Sequence, residues 1–80
     1  MQNDQYTIQA EEVRMALEER FACHFAVERS WTSGAFGSMW VWRIYRTDIR
    51  DSRVISRVDL GTAVSEAIEG MHADGLRETD

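Results

Sequence analysis

Cys23 and His24 are the residues whose types best suit nucleophilic chemistry, a thiol beside an imidazole base. A base must reach its nucleophile within hydrogen-bond distance, but neighbours on a strand point to opposite faces, so this pair is not expected to react together. Cys23 reads instead as a small buried hydrophobe. As the only cysteine it can form neither an internal disulfide nor a multi-cysteine zinc site, which suits a reducing compartment. His72 and Asp74 offer at most a weak pair of metal ligands, where zinc needs three or four, so no metal is expected. The paired acids Glu11-Glu12 and Glu18-Glu19 suggest acid-base work, yet a solvated helix face supplies no apolar pocket to shift a pKa. No phosphate-cradling glycine loop, nucleophile elbow or dinucleotide fingerprint is present. The expectation is a protein that is not an enzyme and uses no cofactor.

Binding chemistry remains, and the charge layout speaks to it. Residues 1 to 29 carry six acids against three arginines, residues 30 to 57 two against five, and residues 58 to 80 six against one. All nine basic residues are arginine, each a planar fork suited to carboxylate or phosphate. Acidic ends and a basic middle become separate surfaces if the elements that carry them differ in type.

Those elements follow from the periodicity. Ala10, Val13, Leu17 and Phe21 recur at helical spacing, with Thr7 the expected N-cap. Glu12 and Glu19 then point to solvent, Glu11 and Glu18 share a flank, and Arg14 can pair with Glu18. From Cys23 the period changes to two, predicting a strand over Ala22 to Trp31, a glycine-bearing loop over Thr32 to Gly37 and a second strand over Ser38 to Arg46. A polar turn over Thr47 to Ser52 precedes a third strand, in which Val54, Ser56, Val58 and Leu60 alternate with Arg53, Ile55, Arg57 and Asp59. Thr62 is the expected N-cap of a second helix with Val64, Ile68 and Met71 inward and Glu66 and Glu69 outward. Gly75-Leu76 suits a Schellman stop with Leu76 on Met71, and Arg77 to Asp80 reads as a loose tail.

The predicted fold is α+β, helix-strand-strand-strand-helix, a three-stranded antiparallel meander with both helices packed on one face. Cys23, Phe25, Val27, Trp40, Trp42, Ile44, Val54 and Val58 are expected beneath the helices. His24, Ala26, Glu28, Met39, Val41, Arg43, Tyr45, Arg53, Ile55 and Arg57 are expected on the open side, and a one-residue register error would exchange the sets.

At 80 residues the chain is read as one domain over residues 1–80, with an ordered core from about 8 to 76. No apolar run approaches the roughly 20 residues of a membrane span, and Met1-Gln2-Asn3-Asp4-Gln5 is too polar to open a signal peptide. A soluble intracellular, cytoplasmic protein with no membrane partner is expected.

Three surfaces follow. Glu12, Glu19, Glu66 and Glu69, with Glu11 and Glu18 beside them, would form a negative plate able to dock on a basic groove, with encounter speeded by long-range attraction. The open sheet, with Arg43, Tyr45, Arg53 and Arg57, would serve a homodimer or an antitoxin-like interaction module. The arginine-rich middle with Trp40, Trp42 and Tyr45 could stack bases as a small RNA-binding domain does, but the acidic balance and the missing RNA-recognition signature argue against direct nucleic-acid binding.

The stretch Asp59-Leu60-Gly61-Thr62-Ala63-Val64-Ser65-Glu66-Ala67-Ile68 after an arginine-studded hairpin, together with element order, size and acidity, resembles the small phage anti-CRISPR proteins, in particular inhibitors of type I-C Cascade. The resemblance implies a phage-encoded protein in a bacterial host that inhibits without chemistry. It would bind a Cas subunit of a type I effector complex and stop target DNA from entering.

Overall fold

The computed structural model describes residues 4–35 and 37–79. Met1 to Asn3, Phe36 in the predicted loop and Asp80 in the predicted tail lie outside the described residues. The order is α1 (Asp4–Phe21), β1 (Phe25–Gly34), β2 (Gly37–Arg46), β3 (Ile55–Arg57) and α2 (Leu60–Ala73), the helix-strand-strand-strand-helix order that the periodicity predicts. α1 begins before Thr7, which adds Tyr6 to its inward stripe, with its ring edge-on to Trp42 at 6.1 Å. The helix ends where Ala22 turns left-handed at φ 54°.

The sheet is antiparallel with β2 central. β1 and β2 pair without interruption from Phe25 opposite Arg46 to Gly34 opposite Gly37, so both strands run on into the predicted loop. Gly37 adopts φ 111°, a backbone conformation that a side chain would oppose. Pairing of Val27 with Ile44 and of Ile44 with Ile55 puts these three on one face. That corrects the third strand: Ile55 packs against the core and Arg57 shares its face, while Val54 and Val58 are exposed. Three paired residues carry too little alternation to set a face, and the valines there misled.

Both helices cover the face of Phe25, Trp42 and Ile44. Leu17 and Phe21 from α1 and Ala63, Ala67 and Met71 from α2 complete the core with Cys23. Ala63 and Ala67, small and buried, let α2 approach the sheet closely. Asp59 caps α2 rather than Thr62, its carboxylate accepting from the Thr62 N–H at 2.9 Å. The predicted Schellman stop is present: Gly75 N–H reaches the His72 carbonyl and Leu76 N–H the Met71 carbonyl, both at 3.0 Å, with Leu76 against the core. The tail is docked rather than loose. Thr79 donates its N–H to the Arg20 carbonyl and its hydroxyl to that of Glu19, and Glu78 pairs with Arg20. The unmet carbonyls at the end of α1 draw it there.

Candidate functional surfaces

The buried Cys23 thiol donates to the Phe21 carbonyl at 3.2 Å, and the exposed His24 ring lies with Nδ1 3.9 Å from Glu18 Oε2. His72 lies edge-on to Phe21 at 5.6 Å and contacts Glu78 Oε2 at 2.9 Å. Among the described residues no three His, Cys, Asp or Glu side chains gather as a cation site, and no helix is long and apolar enough to cross a membrane.

The acids of the expected plate divide into two groups. Arg14 lies between Glu11 and Glu18, at 2.7 Å and 2.9 Å, and Arg57 reaches from β3 to Glu66 at 2.8 Å. The plate is therefore not remote from the arginines, because β3 turns Arg57 toward α2. The Phe25 N–H at 2.9 Å and then the nearby Arg14 guanidinium hold the Glu18 carboxyl below its usual range, and the Arg14 hydrogen bonds do the same for Glu11. The carboxylates of Glu12, Glu19 and Glu69 have no hydrogen-bond or ion-pair partner among the described residues.

Two of those unpaired acids share a stripe with apolar residues. At about 100° per residue, Ile8, Glu12, Met15 and Glu19 fall within a sector of about 60°, opposite the inward line of Tyr6, Ala10, Val13, Leu17 and Phe21. Ile8 is 56% exposed and Met15 60%. The seven-residue spacing of Ile8 and Met15 is the sequence signal for this stripe, obscured by the polar residues that surround the pair.

The four residues expected on the open sheet do not form one surface. Arg43 and Tyr45 stand there with Glu28, whose carboxylate takes Arg43 Nη1 at 3.0 Å. Arg57 lies on the helix side, and Arg53 is 3.8 Å from Asp74 of the α2 C-cap. Val41, on the open face, is nevertheless buried.

Beyond the ends of β3 and α2 the β1–β2 hairpin continues as an arm. Trp31 and Trp40 face each other there, ring centroids 5.3 Å apart, and both are about half exposed. Nearer the core the Arg29 guanidinium stacks over Tyr6 at 4.4 Å, Trp42 at 5.1 Å and Trp40 at 5.8 Å. A cleft of about 410 Å³ opens between Thr7, Ala10 and Glu11 of α1 and Val27 and Arg29 of β1. A second hollow, of about 200 Å³, lies between the β2–β3 turn and Gly70 and Met71 of α2. No family model, curated protein or solved structure matches the chain.

Proposed function

We propose that this protein is a non-enzymatic docking module whose α1 outer stripe binds a basic protein surface, and that it acts as an anti-CRISPR inhibitor. In that role it occupies the DNA-accepting groove of a type I effector subunit. The observation that carries the reading is the exposure of Ile8 and Met15 on one stripe with the unpaired carboxylates of Glu12 and Glu19. A face kept only for solubility has no use for two large apolar side chains opposite the core. A face that docks does: the apolar pair supplies contact area, and the carboxylates supply attraction to arginine and lysine in a groove shaped for phosphate. Glu11, Glu18 and Glu66, by contrast, are already occupied by arginines of this chain.

The test is inhibition of target-DNA binding by a purified type I-C effector complex, read by gel shift. The wild-type protein blocks binding and loses potency steeply as salt is raised. The double reversal Glu12→Arg with Glu19→Arg abolishes the block while far-UV circular dichroism is unchanged, and Ile8→Ser with Met15→Ser weakens it at all salt concentrations. Failure of the wild-type protein to inhibit overturns the anti-CRISPR reading, and full potency of the double reversal overturns the choice of face.

A further inference from the structure

The hydrogen-bond parity of β1 identifies an unoccupied border. Thr47 N–H donates to the His24 carbonyl at 3.0 Å, which makes His24 and Thr47 a hydrogen-bonded pair. Antiparallel pairs alternate, so Ala26, Glu28, Ser30 and Thr32 spend their backbone groups on β2, while Phe25, Val27, Arg29, Trp31 and Ser33 direct theirs away from it. Glu18 confirms the parity, since its carboxylate accepts the outward N–H of Phe25. Past that point no fourth strand is present among the described residues, where the sheet order is β1-β2-β3 and β1 pairs with β2 alone. The cleft of about 410 Å³ lies along this border, with Thr7 and Glu11 on its far wall.

We infer that the outer border of β1 is a docking site for an extended peptide bearing a carboxylate, which adds to the sheet as a fourth strand and sets the carboxylate on Arg29. Backbone groups of Val27, Arg29, Trp31 and Ser33 supply the ladder, and the groove between helix and strand limits the occupant to one extended chain. Charge selects its chemistry. Of the ionised side chains lining the cleft, Glu11 is neutralised by Arg14 and Glu28 by Arg43. Arg29 has aromatic rings around it and no carboxylate within ion-pair distance among the described residues, which leaves a planar fork ready for a bidentate partner. A second copy of this chain fits less well. The face of β1 that carries Arg29 also carries Phe25, Val27, Trp31 and Ser33, with no acid, because Glu28 lies on the opposite face. Self-pairing would leave Arg29 without a counter-charge. The site uses different residues from the α1 stripe.

The experiment uses the full chain, labelled with ¹⁵N, and a heptapeptide of alternating valine and threonine, with either a free C-terminal carboxylate or a C-terminal amide. With the free acid at millimolar concentration, amide exchange slows at Val27, Arg29 and Trp31 and is unchanged at Ala26, Glu28 and Ser30. The free acid binds about tenfold more tightly than the amide, and Arg29→Gln brings that ratio to one, whereas Arg29→Lys keeps part of it. Glu12→Arg with Glu19→Arg leaves peptide binding intact, which separates this site from the docking stripe. No exchange change at the three outward amides overturns the proposal. So does protection that grows with protein concentration in the absence of peptide, which would assign the border to a second copy.

Discussion

Glu18 Oε2 accepts the Phe25 backbone N–H at 2.9 Å while Oε1 of the same carboxylate holds Arg14 at 2.9 Å. One side chain thus ties the last turns of α1 to the first residue of β1, across a connection in which Ala22 turns the chain left-handed. The bond depends on ionisation, and stability therefore depends on pH. With the folded carboxyl held low, the native state binds fewer protons than the unfolded chain between the two pKa values, so stability rises with pH across that interval. It is fully present above the unfolded glutamate value of about 4.3 and is lost as pH falls through the folded value. Glu11, Asp48 and Glu78, also lowered by their arginine partners, act with the same sign. Urea midpoints at pH 7 and pH 3 measure this: Glu18→Gln lowers the first and narrows the difference. An unaltered difference would exclude Glu18 as a source.

Two positions, one just past α1 and one inside α2, carry the residue that suits the other. Ala22 holds φ 54°, where glycine fits without steric cost, and Gly70 lies inside α2, where alanine is favoured. A Cβ at Gly70 would meet Arg53 Nη1 at 3.9 Å, an ordinary contact. Ala22→Gly and Gly70→Ala are each expected to stabilise by about 1 kcal/mol. For a domain of this size that raises the melting temperature by roughly 4–8 °C, measurable by thermal circular dichroism.

The face of β3 is checked by a pair of truncations. Ile55, packed against the core opposite Ile44, should cost about 1–3 kcal/mol as alanine, while Val58→Ala should stay within about 0.5 kcal/mol. Ile44→Ala, at the most deeply buried large side chain, should cost about 2–5 kcal/mol. Equal costs at Ile55 and Val58 would contradict the strand's orientation.

Removal of residues 77–80 should lower stability by about 1–2 kcal/mol through loss of the Thr79 hydrogen bonds to Glu19 and Arg20. Chemical denaturation of the truncated chain reads this directly, and a midpoint equal to that of the full chain would mean that the tail contributes nothing.

Much of the fold was legible because the hydrophobic period changes sharply, from helical before Phe21 to two from Cys23 onward. Alternation grouped Trp40, Trp42 and Ile44 on one face, the expected inner one; Trp42 and Ile44 are buried there, whereas Trp40 is half exposed on the arm. The limits arose where a residue's partner is remote in sequence. Arg57 belongs with Glu66 only once β3 is paired through Ile44 and Ile55, and Thr79 meets α1 only once both helices lie on the same face. Caps were misplaced for a local reason: Thr7 and Thr62 have the right chemistry, but Asp59 precedes Thr62 with a stronger acceptor, and α1 starts at Asp4. Of the surface residues, the acids were visible as charges, whereas their neutralisation by Arg14 and Arg57 needed coordinates. The hairpin arm was half-visible, as bulky residues on both faces of the second strand, but its length past β3 depends on pairing that continues to Gly34 and Gly37.

The unbroken run of β1 has a colloidal consequence. Its ten residues include no proline or lysine, and its ladder with β2 has no bulge, so within the strand only the charges of Glu28 and Arg29 deter sheet growth between molecules. Mutual repulsion from the net charge of −5 adds a second barrier to precipitation. That second barrier vanishes near the isoelectric point of about 4.9, and solubility should pass through a minimum there.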